Sequence, residues 1–522
     1  MHTPFSLIVC VAAGAAATGC IGERGPFINR MAHTSTSYLA RAARQPVRWQ
    51  PWGRDAFALA AKLDRPVLLY IGSDTCRWCA ETDRAIYTDP EIGALINALF
   101  VPIRVDRDEL PDVAQRFQTA VERMAGLRGW PLTVFLTADG APFFGGTYFP
   151  ADDPITGRGL RQLLPEVAKR YHDQRSFIME QAAAVRQLVL SGTGAGAGTG
   201  ESRGVLRPAL VQDGIAAVAR ELDEAVRARV VAGSVMHVTA VSLLLTEAAR
   251  EHDTTILATA LHALDLMLDT TAANAGEDPP RLVRAALAAS LAKAWAVTGE
   301  QRYREAGRGL VRRLAGELSP EGSVFADQEA YVIENVMVAA ATVGEPAVES
   351  RVRKGLDVLL QRTYAPGWGV RHAATGMPAA GVTTPQGLLQ DQVQVAAASL
   401  AAHHLSNDPR YLAVALDLAA IVERSYADPL GAYFDVAAPP SEPPPASQAP
   451  LGDRTKHVFD DVLPGANAAT ALFLVQLAVV TSDPAYRRRA QATLETFAGA
   501  MDGSGIRAAT FLLAARETLG KP

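Results

Sequence analysis

Pro66-Val67-Leu68-Leu69-Tyr70-Ile71-Gly72-Ser73-Asp74-Thr75-Cys76-Arg77-Trp78-Cys79 is the stretch on which the fold turns. Pro66 to Ile71 is a short apolar run of the kind that forms a buried strand. Ser73, Asp74 and Thr75 are good helix N-cap residues, and the two cysteines then open a helix. The C-x-x-C spacing sets both thiols on the first helical turn. There the exposed N–H groups and the macrodipole favour a thiolate on Cys76, lowering its pKa from ~8.5 into the range ~3.5–7.5. Arg77 adds a cation that pushes the same way. Cys76 is the expected nucleophile toward a substrate disulfide, and Cys79, one turn in, the expected resolving thiol.

Working outward, Arg54 to Leu63 has helical periodicity, Pro90 to Leu99 reads as a second helix and Phe100 to Val105 as a second strand. Leu132 to Leu136 is a third strand, and Asp139-Gly140 turns it into Pro142-Phe143-Phe144. This order predicts an α/β domain with a mixed sheet. Gly129-Trp130-Pro131 lies immediately before the third strand. In thioredoxin folds a cis-proline at the start of that strand faces the cysteines, and its neighbours bind the incoming peptide backbone. Trp78, Trp130 and Pro131 are therefore the expected substrate contacts, with Trp49, Trp52 and Trp130 otherwise of core type and Trp78 exposed beside the thiols.

The chain has 522 residues, which suggests two to four domains. Its 49% hydrophobic and 20% charged residues are the composition of a folded soluble protein. Fifty basic against 55 acidic residues leave a net charge of −5 with no basic tract, so nucleic acid is not an expected partner. Phe5 to Ala17 is an apolar and small-residue run too short for a stable membrane span. It leads through Ala17-Thr18-Gly19 into Cys20, which resembles a bacterial lipoprotein signal over residues 1–20 with Cys20 as the lipidation site; an ordinary signal peptide is the competing reading. The expectation is an exported, periplasmic or cell-envelope protein anchored to a membrane by lipid.

There are four cysteines. With Cys10 in the leader and Cys20 lipidated, only Cys76 and Cys79 remain to pair. Such a close pair closes too small a loop to staple a fold, which points to redox chemistry or metal binding. Half a zinc site would need a second C-x-x-C or a suitably spaced His pair; neither exists, the ten histidines are scattered, and no metal or cofactor is expected.

Ser191 to Gly204 reads as a flexible Gly-rich linker, separating a first domain (27–190) from a largely helical second part (205–522). Ala437 to Pro450 holds six prolines and reads as a surface excursion. The second part repeats a motif: Thr298-Gly299-Glu300-Gln301-Arg302-Tyr303 recurs as Ser406-Asn407-Asp408-Pro409-Arg410-Tyr411 and as Thr481-Ser482-Asp483-Pro484-Ala485-Tyr486. In each, a hydroxyl or carboxylate would cap a new helix and the tyrosine pack back over the hairpin. Such units argue for stacked α-hairpins, about six at ~50 residues each, closed into a ring or left as a solenoid.

Asn29-Arg30, Ser37-Tyr38-Leu39, Trp49-Gln50-Pro51-Trp52-Gly53, Thr75-Cys76, Trp78-Cys79, Val105-Asp106-Arg107, Pro111-Asp112, Gly129-Trp130-Pro131-Leu132 and Pro142 to Pro150 resemble the YyaL / spermatogenesis-associated protein 20 family of thioredoxin-domain proteins (DUF255 type). The resemblance covers about 120 residues. It implies a thioredoxin-like domain followed by an (α/α)6 toroid of six-hairpin glycosidase type. Two departures stand out. The family's histidines between and just after the cysteines are Arg77 and Ala80 here. The buried carboxylate that ordinary thioredoxins carry six residues before the first cysteine is Tyr70 here, so Cys79 would lack that proton acceptor.

In the toroid, Asp391, Asp461 and Asn467 stand at the family's recurrent acidic and Pro-Ser-Gly-Asn positions and are the candidate contacts for a carbohydrate ligand. No convincing pair of catalytic carboxylates can be placed, and helix capping is the weightier reading for these residues. The preferred function is a thiol–disulfide oxidoreductase acting on protein dithiols and disulfides. The alternatives are a carbohydrate-binding or carbohydrate-processing toroid with a non-catalytic thioredoxin domain, and a protein-binding scaffold.

Overall fold

In a computed structural model of the protein, the described residues are 27–153, 159–191, 202–229, 234–273, 279–318, 325–373, 387–438 and 453–520. The leader with Cys20, most of the Gly-rich linker and nearly all of the Pro-rich segment lie outside them.

The first domain is built on a five-stranded sheet in the order β1-β3-β2-β4-β5. Its strands are β1 (Gln50–Pro51), β2 (Val67–Gly72), β3 (Val101–Asp106), β4 (Leu132–Leu136) and β5 (Pro142–Gly146). β2 runs parallel to β3 and antiparallel to β4, so the strand with the cysteines at its end is central. Every residue of β2, β3 and β4 is buried. This explains why they read as continuous apolar runs: both faces are covered, leaving no solvent side for alternation to mark.

One face, with Val67, Leu69, Ile71 and Ile103, packs with α2 (Arg54–Leu63), α5 (Pro111–Ala125) and α7 (Arg175–Ser191). The other, with Leu68, Tyr70 and Phe135, packs with α1 (Ser37–Arg41), α4 (Pro90–Leu99) and α6 (Leu160–Asp173). Short α3 (Arg77–Thr82) follows β2 and runs into a π-helical turn, Asp83–Tyr87. The architecture is thioredoxin-like.

Among its described residues the second part holds twelve helices in alternation. The inner ones are α9 (Val235–Glu251), α11 (Arg281–Thr298), α13 (Ala326–Val343), α15 (Leu389–Ser406), α17 (Ala466–Thr481) and α19 (Ala509–Leu519). Each packs against the next, and α19 returns to α9, closing a ring. Outside them lie α8 (Pro208–Arg227), α10 (Thr254–Ala273), α12 (Gln301–Glu317), α14 (Pro346–Thr363), α16 (Pro409–Ser425) and α18 (Pro484–Phe497). The result is an α/α toroid of six hairpins. Sequence chemistry sorts the two rings. Inner helices such as α17, ANAATALFLVQLAVVT, are apolar and small all round, which suits burial on every side. Outer helices such as α12, QRYREAGRGLVRRLAGE, carry one charged face toward water.

The repeated turn motif sits where outer helices begin. Asp408 and Asp483 cap α16 and α18 by accepting from the N–H of Arg410 and Ala485. At α12 the carboxylate of Glu300 caps nothing; Thr298 Oγ1 accepts from the Glu300 N–H instead. Tyr303 and Tyr411 are buried and donate to Asp265 and Asp357, whereas Tyr486 is only half-buried. Among the described residues no helix is long and apolar enough to cross a membrane.

Candidate functional site

Cys76 is the N-cap of α3 rather than its first residue, with extended backbone, and its sulfur accepts the N–H of Cys79 at 3.1 Å. The two cysteines are joined as a disulfide across a Cα–Cα distance of 5.2 Å. Cys76 is half-buried and Cys79 fully buried, so an incoming thiol can reach only the first sulfur directly. Arg77 is exposed, and Trp78 stands 65% exposed beside it.

The Trp130-Pro131 bond is cis. Trp130 is half-buried, not core: the Arg107 guanidinium lies 5.3 Å above its ring and occupies one face. Arg107 also donates to Thr75 Oγ1 (3.2 Å) and to Asp108 (3.1 Å). One arginine from the loop after β3 thus ties the residue before Cys76 to the residue before Pro131.

Beneath the disulfide lies a polar cluster that the sequence reading missed. Arg104, in the middle of buried β3, makes two hydrogen bonds to Asp83 (2.7 and 2.6 Å). Its guanidinium packs 4.1 Å from the Tyr38 ring centroid and 5.1 Å from that of Tyr70. Tyr70, at the position of the missing carboxylate, donates to the Cys79 carbonyl at 3.4 Å. The Tyr38 hydroxyl is buried without a hydrogen-bond partner. Asp106, the last residue of β3, is buried; it accepts from the Asp108 N–H (2.9 Å) and from the Thr36 hydroxyl. Burial first, then the carboxylates of Asp108 and Glu109, push its carboxyl up to about 7. The available signal was an arginine inside an otherwise apolar strand, which demands a buried acid nearby.

The toroid candidates sit at the N-terminal ends of the inner helices, facing the first domain. Asp391 is fully buried and caps α15, accepting from the Leu388 N–H (2.8 Å); it also accepts from the Asp327 N–H (3.2 Å) and pairs with His372 (2.8 Å). The other ring nitrogen of His372 lies 2.9 Å from the Asp108 carbonyl. Burial alone would lower the His372 pKa, but Asp391 and Asp327 outweigh it and push it up to about 10. As an imidazolium it donates at both nitrogens. Among the described residues, Asp327, His372 and Asp391 have ligand atoms within 4.8 Å of one another and so could hold a metal ion.

Asp461 accepts from Gln115 of α5 (2.8 Å), joining the two domains. Asn467 is fully buried and bonds the Tyr433 N–H, the Tyr433 carbonyl and the His457 carbonyl. Asp391, Asp461 and Asn467 are therefore placed as caps and interface contacts and do not converge on one cavity. The toroid's cavity lies deeper, between the inner helices. It encloses about 680 Å³ and is reached by Lys293, Glu334, Asn335, Gln394, His404 and Gln476. Burial raises the Glu334 carboxyl to about 7 and lowers Lys293 to about 8.

A thioredoxin-like domain with a C-x-x-C at the start of a helix and a cis-proline just before β4, set on an α/α toroid, defines the class. The family model Thioredox_DsbH, described as a protein of unknown function, DUF255, matches residues 28–189. Human spermatogenesis-associated protein 20 is 37% identical over 163 residues, and an uncharacterised protein of Caenorhabditis elegans is 33% identical over 168. The matched stretch is 31% of this chain and 21% of the human protein in the first case, 32% and 23% in the second. The chain thus matches under a quarter of the length of these relatives. Among solved structures, an unsaturated glucuronyl hydrolase specific for heparin aligns with a TM-score of 0.42 and 14% identity, over 60% of this chain and 97% of that one. An α-1,6-mannanase from Salegentibacter gives 0.41 and 13%, over 58% and 98%.

Proposed function

We propose that the first domain is a thiol–disulfide oxidoreductase acting on protein dithiols and disulfides in an exported, lipid-tethered protein. One observation carries the reading: a half-buried Cys76 caps a helix with its sulfur on a backbone N–H, while its partner Cys79 is fully buried one turn behind it. That placement stabilises a thiolate where a substrate can reach it and holds the resolving sulfur where solvent cannot. Trp78, Trp130 and Pro131 would contact the substrate chain, and Arg77 would support the thiolate. Attachment through Cys20 would place this chemistry at a membrane surface. The test is Cys79→Ser expressed in its native compartment: partner proteins trapped on Cys76 under non-reducing conditions are expected. The absence of trapped species, together with a Cys76 pKa near the free value of ~8.5, would sink the reading.

A second reading, of the toroid as a carbohydrate-binding module, is favoured by the cavity between the inner helices, whose size falls within the usual ~300–1,000 Å³ of ligand pockets. Its polar contacts would be Glu334, Asn335, Gln394 and Gln476 rather than Asp391, Asp461 and Asn467. Glycan-array binding that weakens in Asn335→Ala is the expected result; an array without signal removes it.

A further inference from the structure

Cys79 has no carboxylate six residues before Cys76 to take its proton, because Tyr70 stands there. The neighbouring strand supplies one. β2 and β3 are parallel, and their last paired residues are Gly72 and Asp106. Register partners on adjacent parallel strands point to the same face, about 4.8 Å apart. Gly72 has no side chain, and the space a Cβ would fill there is already taken: it would overlap the Tyr38 hydroxyl and lie 3.0 Å from Cys79 Sγ. The buried sulfur and the partnerless Tyr38 hydroxyl therefore crowd Gly72, and the Asp106 side chain starts on the same face of the neighbouring strand.

We propose that Asp106 is the proton acceptor for Cys79, with the Tyr38 hydroxyl placed to relay the proton. The assignment rests on the oxidoreductase reading above and names the base that reading lacks. The step balances as follows. The Cys76 thiolate attacks a substrate disulfide; that bond breaks, one substrate sulfur leaves as thiolate, and the other is joined to Cys76. The Cys79 thiol gives its proton to the Asp106 carboxylate and attacks Cys76 Sγ. The Cys76–substrate bond breaks, the Cys76–Cys79 bond forms, and two electrons have passed to the substrate. The second departing thiolate then takes up the proton, through solvent, from Asp106. When the disulfide oxidises a substrate dithiol, Asp106 returns the proton to Cys79.

The surroundings suit a carboxyl that exchanges protons near neutrality. The Asp108 N–H and the Thr36 hydroxyl at the start of α1 hold the ionised form; burial, Asp108 and Glu109 oppose it. Across the same face the nearby cation, Arg104, is committed to Asp83 of the π turn. Asp74, on the loop before α3, is engaged by Arg41 and Ser37 from α1. A carboxyl with a pKa close to the working pH both accepts and releases a proton efficiently.

The test is a single turnover of the full-length, fully reduced chain, in a Cys10→Ser, Cys20→Ser background, with an aromatic disulfide whose released thiolate is coloured. The first release reports attack by Cys76 and the second reports resolution by Cys79; Cys79→Ser identifies the second. In Asp106→Asn the first release is expected to keep its rate and pH profile. The second should slow about 100-fold at pH 7 and lose its inflection near 7. Asp106→Glu should restore part of both, a recovery that a folding defect would not produce. A normal first release with an unaltered second release in Asp106→Asn overturns the assignment alone. Failure of the unsubstituted dithiol to give a first release overturns the oxidoreductase reading, and the assignment with it.

Discussion

Gly72 is the residue at which packing and chemistry meet. Its missing side chain leaves room for the Tyr38 hydroxyl and Cys79 Sγ. Gly72→Ala should therefore overpack the site and lower stability by about 1–3 kcal/mol, read as a lower urea midpoint. Removing the hydroxyl frees part of that space, so Tyr38→Phe should recover part of the loss; strictly additive effects in the double-mutant cycle would refute the shared-space account. Tyr38→Phe by itself should cost little, since it deletes a buried donor that has no partner. The local half of this site was legible in the sequence. The two cysteines, Trp78 and the Gly129-Trp130-Pro131 turn are contiguous motifs whose geometry follows from spacing. Tyr38, Arg104 and Asp106 meet Cys79 only because β3 lies beside β2 and α1 folds over both. That adjacency is a property of the sheet order and leaves no periodic mark in the chain. In the sequence, Asp106 and Arg107 carry only a family resemblance and no role.

At the scale of the helix, α13 shows what a ring of inner helices does to a charged residue. Past a first turn that carries Asp327 and Glu329, Ala326–Val343 is mostly apolar, yet Glu334 lies on the side that faces the cavity. Burial is the cause of its raised pKa, about 7 against an ordinary 4.5. A carboxyl whose folded pKa is raised favours folding fully only below its unfolded value. That advantage is lost as pH climbs from about 4.5 to about 7, and above 7 the native state holds an unfavourable buried charge. Glu334→Gln should thus leave stability at pH 4.5 nearly unchanged and raise it at pH 8 by on the order of 2 kcal/mol. Urea midpoints across that range check it; an equal change at both ends would be the wrong outcome. The hairpins at α12, α16 and α18 were readable from the repeated turn, while the count of about six followed from the length of the second part at ~50 residues a hairpin. The polar lining was not, since a glutamate in mid-helix reads the same whether it faces water or a lumen.

Across the whole molecule, the first domain sits on the ring mouth through contacts between charged or polar groups that are hundreds of residues apart in sequence. His372 reaches the Asp108 carbonyl, Gln115 reaches Asp461, and Arg507 approaches Glu122 at 3.6 Å. The densest joint is Asp453. It is nearly buried, accepts two hydrogen bonds from Arg186 of α7 (3.1 and 2.6 Å) and lies 3.5 Å from buried Arg116 of α5. An ion pair this enclosed adds little net stability while intact, because desolvation offsets most of the attraction. Taking Asp453 away is another matter, since it is the group that both arginines share. Asp453→Ala leaves Arg116 facing Asp112 but removes both hydrogen bonds of Arg186 and the attraction to Arg116, at a cost of about 1–3 kcal/mol. Interfaces between domains in one chain are otherwise modest in size and polarity, so that loss should uncouple the two halves. Calorimetry should show one cooperative transition for the intact chain and two for Asp453→Ala, with the thioredoxin-like domain melting first. Asp453→Asn should fall between them, keeping hydrogen bonds to Arg186 but not the charge. A single transition at an unchanged temperature in Asp453→Ala would mean that the apolar contacts of the mouth, and not this charge cluster, hold the two domains together.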